Sequence, residues 1–293
     1  MKRRTFLQTA ATTTAGLPIM LNGFPVQALS RTSWLNAVND ETDRVLVLIQ
    51  LNGGNDGLNT VLPLDQYDNL ANARANILIP EVDALKIDDT VGLHPNLWHI
   101  KELYDDGGVN VVQNVGYPNQ NRSHFRSMDI WTQASPPDEF WSTGWIGRFF
   151  DRDHSNYPMG YPNETFTDPF AISMGSLSVE TCEGQGSNFG MVIHDPFSIY
   201  PLYEGAEDEI PDTPYGDELR FLRNAIRINN QYGGVIESAA ERGSTGNHYP
   251  GNNELAEKLR NVSLLISGGL KTSVYIVSLG GFDTHAGQAE EGS

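Results

Sequence analysis

Asp56, Asp283 and His285 are the residues whose types and surroundings suit metal-ion chemistry. Asp56 follows Asn52-Gly53-Gly54-Asn55, and Asp283 follows Gly280-Gly281-Phe282 with His285 two positions on. Each stretch runs from apolar residues through paired glycines to a carboxylate. Two carboxylates and an imidazole converging on one point would hold a divalent ion, zinc or manganese by the chemistry of the donors. For Asp56 the alternative is a tight turn, which Asn, Asp and Gly also favour.

A second kind of chemistry sits in Asn121-Arg122-Ser123-His124-Phe125-Arg126. A helix is predicted from here to about Gln133, with Ser123 close to its amino end. Backbone amides at a helix start favour an anion. Ser123 there could act as a nucleophile, with Arg122 and Arg126 steadying the oxyanions of a small anionic ester. The other role for Ser123 is an N-cap, and for His124 a surface or packing histidine. Neither alternative is excluded by the residues. His194-Asp195, followed by Pro196, reads as a turn rather than a metal pair.

These groups need a scaffold, and the apolar runs supply it. Val45–Leu51 and Thr272–Leu279 read as strands buried on both faces of a parallel sheet. Ligands of open α/β sheets sit at the carboxyl ends of strands, which is where both carboxylates fall. Val109–Val115 is predicted as a third such strand. His94-Pro95 opens a helix with Leu97, Ile100, Leu103 and Tyr104 on one face, ended by Gly107-Gly108. Strand, helix, strand is the pattern of a right-handed parallel crossover. Residues 60–93 read as an irregular excursion. Asp217 to about Arg242 is predicted as a long helix with Leu219, Leu222, Ala225, Ile226 and Ile236 inward and Gly233-Gly234 as a kink. A short aromatic helix is predicted within 141–153, a strand within 170–179, and an amphipathic helix over 254–267. The expected fold class is α/β, a mostly parallel sheet flanked by helices.

The chain has 293 residues, 37 acidic against 19 basic, and a formal charge of -18. A field of that sign repels nucleic acid and anionic membranes. It also repels a phosphate-type substrate unless a local cation offsets it. Cys182 is the single cysteine, which excludes an intrachain disulfide and a cysteine-based zinc site.

Residues 1–28 read as an export signal. Lys2-Arg3-Arg4-Thr5-Phe6-Leu7-Gln8 resembles the twin-arginine motif. Ala10–Leu21 is too short and weakly apolar to span a membrane stably. Val26-Gln27-Ala28 supplies a cleavage site. The expected location is periplasmic or extracellular. Residues 29–43 form a polar lead-in, and 44–293 the folded domain.

The twin-arginine start, LNGGNDGLNTVLP at 51–63, GLHPNL at 92–97, NRSHF at 121–125, TGWIGR at 143–148 and GGFDTH at 280–285 together resemble the exported bacterial proteins known as DUF1501. The resemblance covers nearly the whole chain. It implies an alkaline phosphatase-like fold, a superfamily of metal-dependent phosphatases, sulfatases, phosphodiesterases and phosphomutases. Carried over, Asp56, Asp283 and His285 match metal ligands and Ser123 matches the nucleophile at the head of a helix. The aspartate–histidine spacing of two differs from the four of several members, and the sulfatase signature is absent. Family members continue past this segment into further strands and an Asp-His-Gly motif, so the chain reads as truncated on its carboxyl side. Two functions follow as expectations. One is a metal-dependent hydrolase of phosphate-type esters, and the other is a non-catalytic envelope protein that keeps the fold for binding or assembly. A carboxylic-ester hydrolase is disfavoured, because no G-x-S-x-G elbow is present.

Overall fold

The structure is a computed structural model that describes residues 19–21, 24–26, 44–175, 180–203, 209–246, 248–285 and 287–289. The chain divides into two units, Met1–Leu46 and Val47–Ser293. In the first, β1 (Ile19–Leu21) pairs antiparallel with β2 (Phe24–Val26). The twin-arginine residues Lys2 to Gln8 and the lead-in at 29–43 lie outside the described residues.

The boundary falls at the first residue of β3 (Leu46–Leu51), whose remaining residues open the second unit. One helical turn, α1 (Gly57–Thr60), leads to β4 (Val61–Pro63) and α2 (Tyr67–Arg74). Then come β5 (Leu85–Lys86), β6 (Val91–Leu93), α3 (Trp98–Asp105), α4 (His124–Gln133) and α5 (Trp145–Asp151). The remaining elements are β7 (Ala171–Met174), β8 (Gly190–Ile193), α6 (Pro214–Arg242), α7 (Glu254–Ser267) and β9 (Val274–Leu279).

The main sheet has the order β3-β9-β7-β8, with β7 parallel to both β9 and β8. This mostly parallel four-stranded sheet flanked by helices is an α/β fold. The two inner strands carry the core. All four residues of β7 are buried, as are Val274, Tyr275, Ile276 and Val277 of β9. β-Branched and aromatic side chains at these positions suit a pleated surface covered on both faces. α7 packs on β9 and α6 on α7, burying Leu265, Tyr232, Ile236 and Ala239. Tyr157, Phe170 and Phe189 form an aromatic cluster with Phe150. The entries to β7 and β9 are tied together, Thr272 Oγ1 donating to the Pro169 carbonyl at 2.7 Å and the Lys271 amide to Asp168 at 2.7 Å.

Several sequence expectations change here. The 45–51 run forms a strand, but β3 is an edge strand and Ile49 is 48% exposed. Its apolar pattern is the same with one neighbour as with two, so periodicity does not distinguish the cases. Residues 109–115 form no strand, and Val112 is 70% exposed. Asn114 adopts φ +57, in the left-handed region, which breaks an extended run. The excursion over 60–93 contains a small antiparallel sheet of order β4-β6-β5, built from strands too short to show a period. β8 was not anticipated and stands directly before His194. α6 continues through Gly233, whose missing side chain lets Ile199 approach, since a Cβ would come 2.9 Å from Ile199 Cγ2. Its buried face is Ile228, Tyr232, Ile236, Ala239 and Ala240, whereas Leu222 and Ala225 are exposed. Among the described residues no helix is long and apolar enough to cross a membrane.

Candidate functional site

β3 and β9 deliver their following loops to one rim of the sheet. The Asn52 amide donates to the Leu279 carbonyl at 2.8 Å, and the Phe282 amide to the Asn52 carbonyl at 3.4 Å. The carboxyl ends of the two strands therefore lie side by side. Gly53 at φ +101 and Gly54 at φ +92 then turn the chain. A Cβ on Gly53 would lie 2.9 Å from the Asp283 backbone nitrogen, and one on Gly54 would lie 2.8 Å from His124 Cε1. The paired glycines thus serve close approach as well as backbone freedom. The loop after β3, the loop after β9 and the start of α4 meet there.

Asp283 is the centre of that meeting. Its Oδ2 lies 2.9 Å from His285 Nε2 and 3.5 Å from His124 Nε2. His285 holds φ +48, a left-handed conformation that a non-glycine residue adopts against a local cost. All three side chains are partly exposed. His124 is the residue that sequence reasoning undervalued. Its signal was position alone, directly after Ser123 at the head of a helix.

Asp56 has different company. It caps α1, accepting from the Asn59 amide at 3.3 Å. Arg74 approaches it with both terminal nitrogens, Nη1 donating to Oδ1 at 2.9 Å, and Gln288 Nε2 donates to Oδ2 at 2.6 Å. Burial works against its charge. The hydrogen bonds from Arg74 and Gln288 and the Arg74 charge outweigh it, so the carboxyl stays below its usual range. Asp56 is therefore a neutralised bridge between loops.

Ser123 is the N-cap of α4, its Oγ accepting from the Arg126 amide at 3.4 Å. The loop before it is held by the Ser123 amide donating to Asn121 Oδ1 at 2.8 Å and by a 2.7 Å contact between Tyr117 Oη and Ser127 Oγ. Both the capping role and the exposed hydroxyl position at the helix head are thus present. Arg126 is buried and turned away from solvent. Its Nη2 donates to the carbonyls of Pro136, Pro137 and Glu139 at 3.3, 2.9 and 2.6 Å. The guanidinium carbon also lies 3.7 Å from the centre of the Phe140 ring. That geometry removes Arg126 from the anion-binding role and leaves Arg122, which is exposed.

A cavity of about 340 Å³ opens beside His124. Phe125, Met128 and Ile276 are among its apolar lining residues, and Asn52, Glu180 and Ser278 among its polar ones. Among the described residues no three His, Cys, Asp or Glu side chains are already arranged to hold a metal ion. Of the residues that the sequence marks for metal, Asp283 and His285 lie together, while Asp56 is engaged by Arg74 and Gln288. His124, Asp283 and His285 come nearest, with two imidazole nitrogens facing one carboxylate oxygen. The chain matches no protein-family model, no curated protein and no solved structure.

Proposed function

We propose that this chain is an exported, metal-dependent hydrolase of phosphate-type esters, on an alkaline phosphatase-like domain of the DUF1501 kind. One observation carries the reading. Asp283 and His285, from the loop after β9, meet His124, from the start of α4, at the carboxyl rim of a mostly parallel sheet, beside a cavity. Their two nitrogens and one oxygen are the donors that would hold zinc or manganese. A bound ion would supply Lewis acidity and offset the acidic surface. Ser123, exposed at the head of α4, is the group assigned to attack. Arg122 supplies positive charge next to it. Gly53 and Gly54 keep the rim open for Asp283 and His124. Asp56 serves by fixing the loops to each other.

Two measurements test this. Purified full-length protein is dialysed against zinc or manganese and analysed for bound metal, with Asp283→Asn and His124→Ala alongside. Turnover of chromogenic phosphate mono- and diesters is then compared with Ser123→Ala. Near-stoichiometric metal lost in the two variants, with turnover abolished in Ser123→Ala, supports the reading. Absent metal, or turnover that survives Ser123→Ala, overturns it.

A non-catalytic binding or assembly role in the envelope is the second reading. It is favoured by exposed apolar residues along α3, namely Trp98, Ile100 and Leu103, together with the exposed Val112 and Val115. A protein that neither binds metal nor turns over esters, yet sediments as an assembly, would fit it.

A further inference from the structure

Along α6, Tyr215, Leu219, Leu222 and Ile226 recur at spacings of four and three, and Asn229, Gly233 and Ile236 continue the series. Residues so spaced form one stripe down a helix, the seam by which helices pair. In the carboxyl-terminal half the stripe is covered, Gly233 and Ile236 being buried. In the amino-terminal half Tyr215 and Leu222 are exposed, and Leu219 and Ile226 are half-buried. The chain before α6 is pinned at the point where cover ends. Asn229 Nδ2 donates to the Tyr200 carbonyl at 2.9 Å. The Leu202 amide donates to Asn230 Oδ1 at 2.7 Å, and Asn230 Nδ2 donates to the Leu202 carbonyl at 2.8 Å. These bonds fix the backbone, while the side chains of Tyr200, Leu202 and Tyr203 stay exposed beside the stripe.

We infer that two copies of this chain pair through the amino-terminal halves of α6, antiparallel about a two-fold axis near Leu219 and Leu222. Area is the first argument. Tyr200, Leu202, Tyr203, Tyr215, Phe221 and Leu222 are each at least half exposed. With aromatic side chains of about 150–250 Å² each, the six offer roughly 750 Å². One partner gives about 800 Å² to an interface of standard size. Charge is the second argument. The whole chain carries 37 acids against 19 bases, and that field repels a second copy. Residues 214–227 reverse the balance, with Asp217 and Glu218 against Arg220, Arg223 and Arg227. The acids come first and the arginines follow. An antiparallel pair therefore lays the acidic first turn of one helix along the basic turns of the other, whereas a parallel pair sets like charges level. The seam also matches itself in this direction, Leu219 meeting Leu222 and Tyr215 meeting Ile226 of the second copy.

Sedimentation velocity of the full chain from about 1 to about 100 μM tests the pairing, the range in which a modest interface associates. The mass is expected to rise to that of two chains. Leu222→Glu and Tyr215→Glu are each expected to weaken pairing by at least about tenfold. Both side chains are already exposed and Glu is a good helix former, so thermal unfolding of the monomer should be unchanged. Leu103→Glu, the same change on the exposed face of α3, should leave pairing intact. Direction is read by cross-linking. Cys182 is buried, so an introduced cysteine is the accessible thiol. A mixture of Tyr215→Cys and Ile226→Cys chains is expected to form a disulfide between positions 215 and 226. A chain that stays single at every concentration overturns the inference. So does pairing that survives Leu222→Glu and Tyr215→Glu, or equal loss in Leu103→Glu, which would assign the effect to added negative charge. A link between two copies of position 215 in place of the mixed one overturns the antiparallel arrangement. None of these readouts involves metal or turnover, so the pairing stands or falls apart from the hydrolase reading.

Discussion

Gln288 Nε2 donates to Asp56 Oδ2 at 2.6 Å, so a side chain beyond β9 holds the carboxylate beyond β3 across 232 positions of sequence. Arg74 holds the same carboxylate from α2. Burial pushes the carboxyl up, but the hydrogen bonds from Arg74 and Gln288 and the charge of Arg74 pull it down by more, so its folded value lies below the usual carboxylate range. The unfolded chain therefore binds the proton first. The stabilisation is fully present above the unfolded value and is lost as pH falls through the folded one. Asp56→Asn is expected to flatten that acid limb and to lower stability near pH 7 by about 1 kcal/mol. Urea unfolding from about pH 7 down to about pH 3 measures both effects. An unchanged acid limb in the variant would refute the bridge.

Gly54 faces the imidazole of His124 with no room for a side chain. A Cβ there would lie 2.8 Å from Cε1, and φ is +92. Gly54→Ala is expected to lower stability by about 1–2 kcal/mol through backbone strain. It should also displace His124 from Asp283, seen as changed imidazole NMR signals. Gly57→Ala is the comparison, since nothing lies within 4 Å of a Cβ at that position. Equal effects from both variants would mean that the close approach at Gly54 carries no weight.

The parts of the fold that were legible in sequence are those with a full period and clear stops. Glu254–Ser267 and the helix from His124 to Gln133 match their predicted bounds, each with a side-chain N-cap, Asn253 and Ser123. The run of β9 was legible because four successive apolar residues are all buried. What pattern could not supply was neighbourhood. Val45–Leu51 and Val109–Val115 look alike in sequence, yet one is an edge strand and the other is exposed coil. At the site, composition marked Asp56, Asp283, His285 and Ser123. It could not foresee Arg74 and Gln288 engaging Asp56, because those contacts are made across long sequence separations. It also could not place the Arg126 guanidinium under Phe140.

Arg126 is expected to behave as a structural residue. One terminal nitrogen serves three carbonyls, and the other lies 3.6 Å from the Asp129 carboxylate, an ion-pair distance beyond hydrogen-bond reach. Arg126→Ala removes a buried side chain and leaves three carbonyls without its donor, and is expected to cost about 3 kcal/mol. Arg126→Lys keeps the charge but not the planar fork, with an expected cost of about 1–2 kcal/mol. Chemical denaturation measures both. A stability unchanged in Arg126→Ala, with weakened anion binding, would return Arg126 to the ester-binding role.

Glu183 offers a test with the opposite pH sign. Burial raises its carboxyl above the usual range, and the charges of Asp151 and Glu180 add to this, while a hydrogen bond from Asn188 Nδ2 at 2.7 Å works the other way. Here the folded chain keeps the proton longer than the unfolded one. Stability is therefore greatest below the unfolded value, and declines as pH rises through the folded value. The backbone of Glu183 is fixed independently, its carbonyl accepting from the Gly144 amide at 2.9 Å at the start of α5. Glu183→Gln keeps an oxygen for Asn188 and removes only the charge. It is expected to raise the melting temperature near neutral pH by about 1–2 °C, a modest figure because the group is partly solvated. The gain should vanish near pH 4, where the wild-type carboxyl is itself protonated. Calorimetry of both proteins across that interval decides it. A variant less stable than wild type at neutral pH would mean that the carboxylate is welcome where it stands, as it would be beside an unrecognised cation.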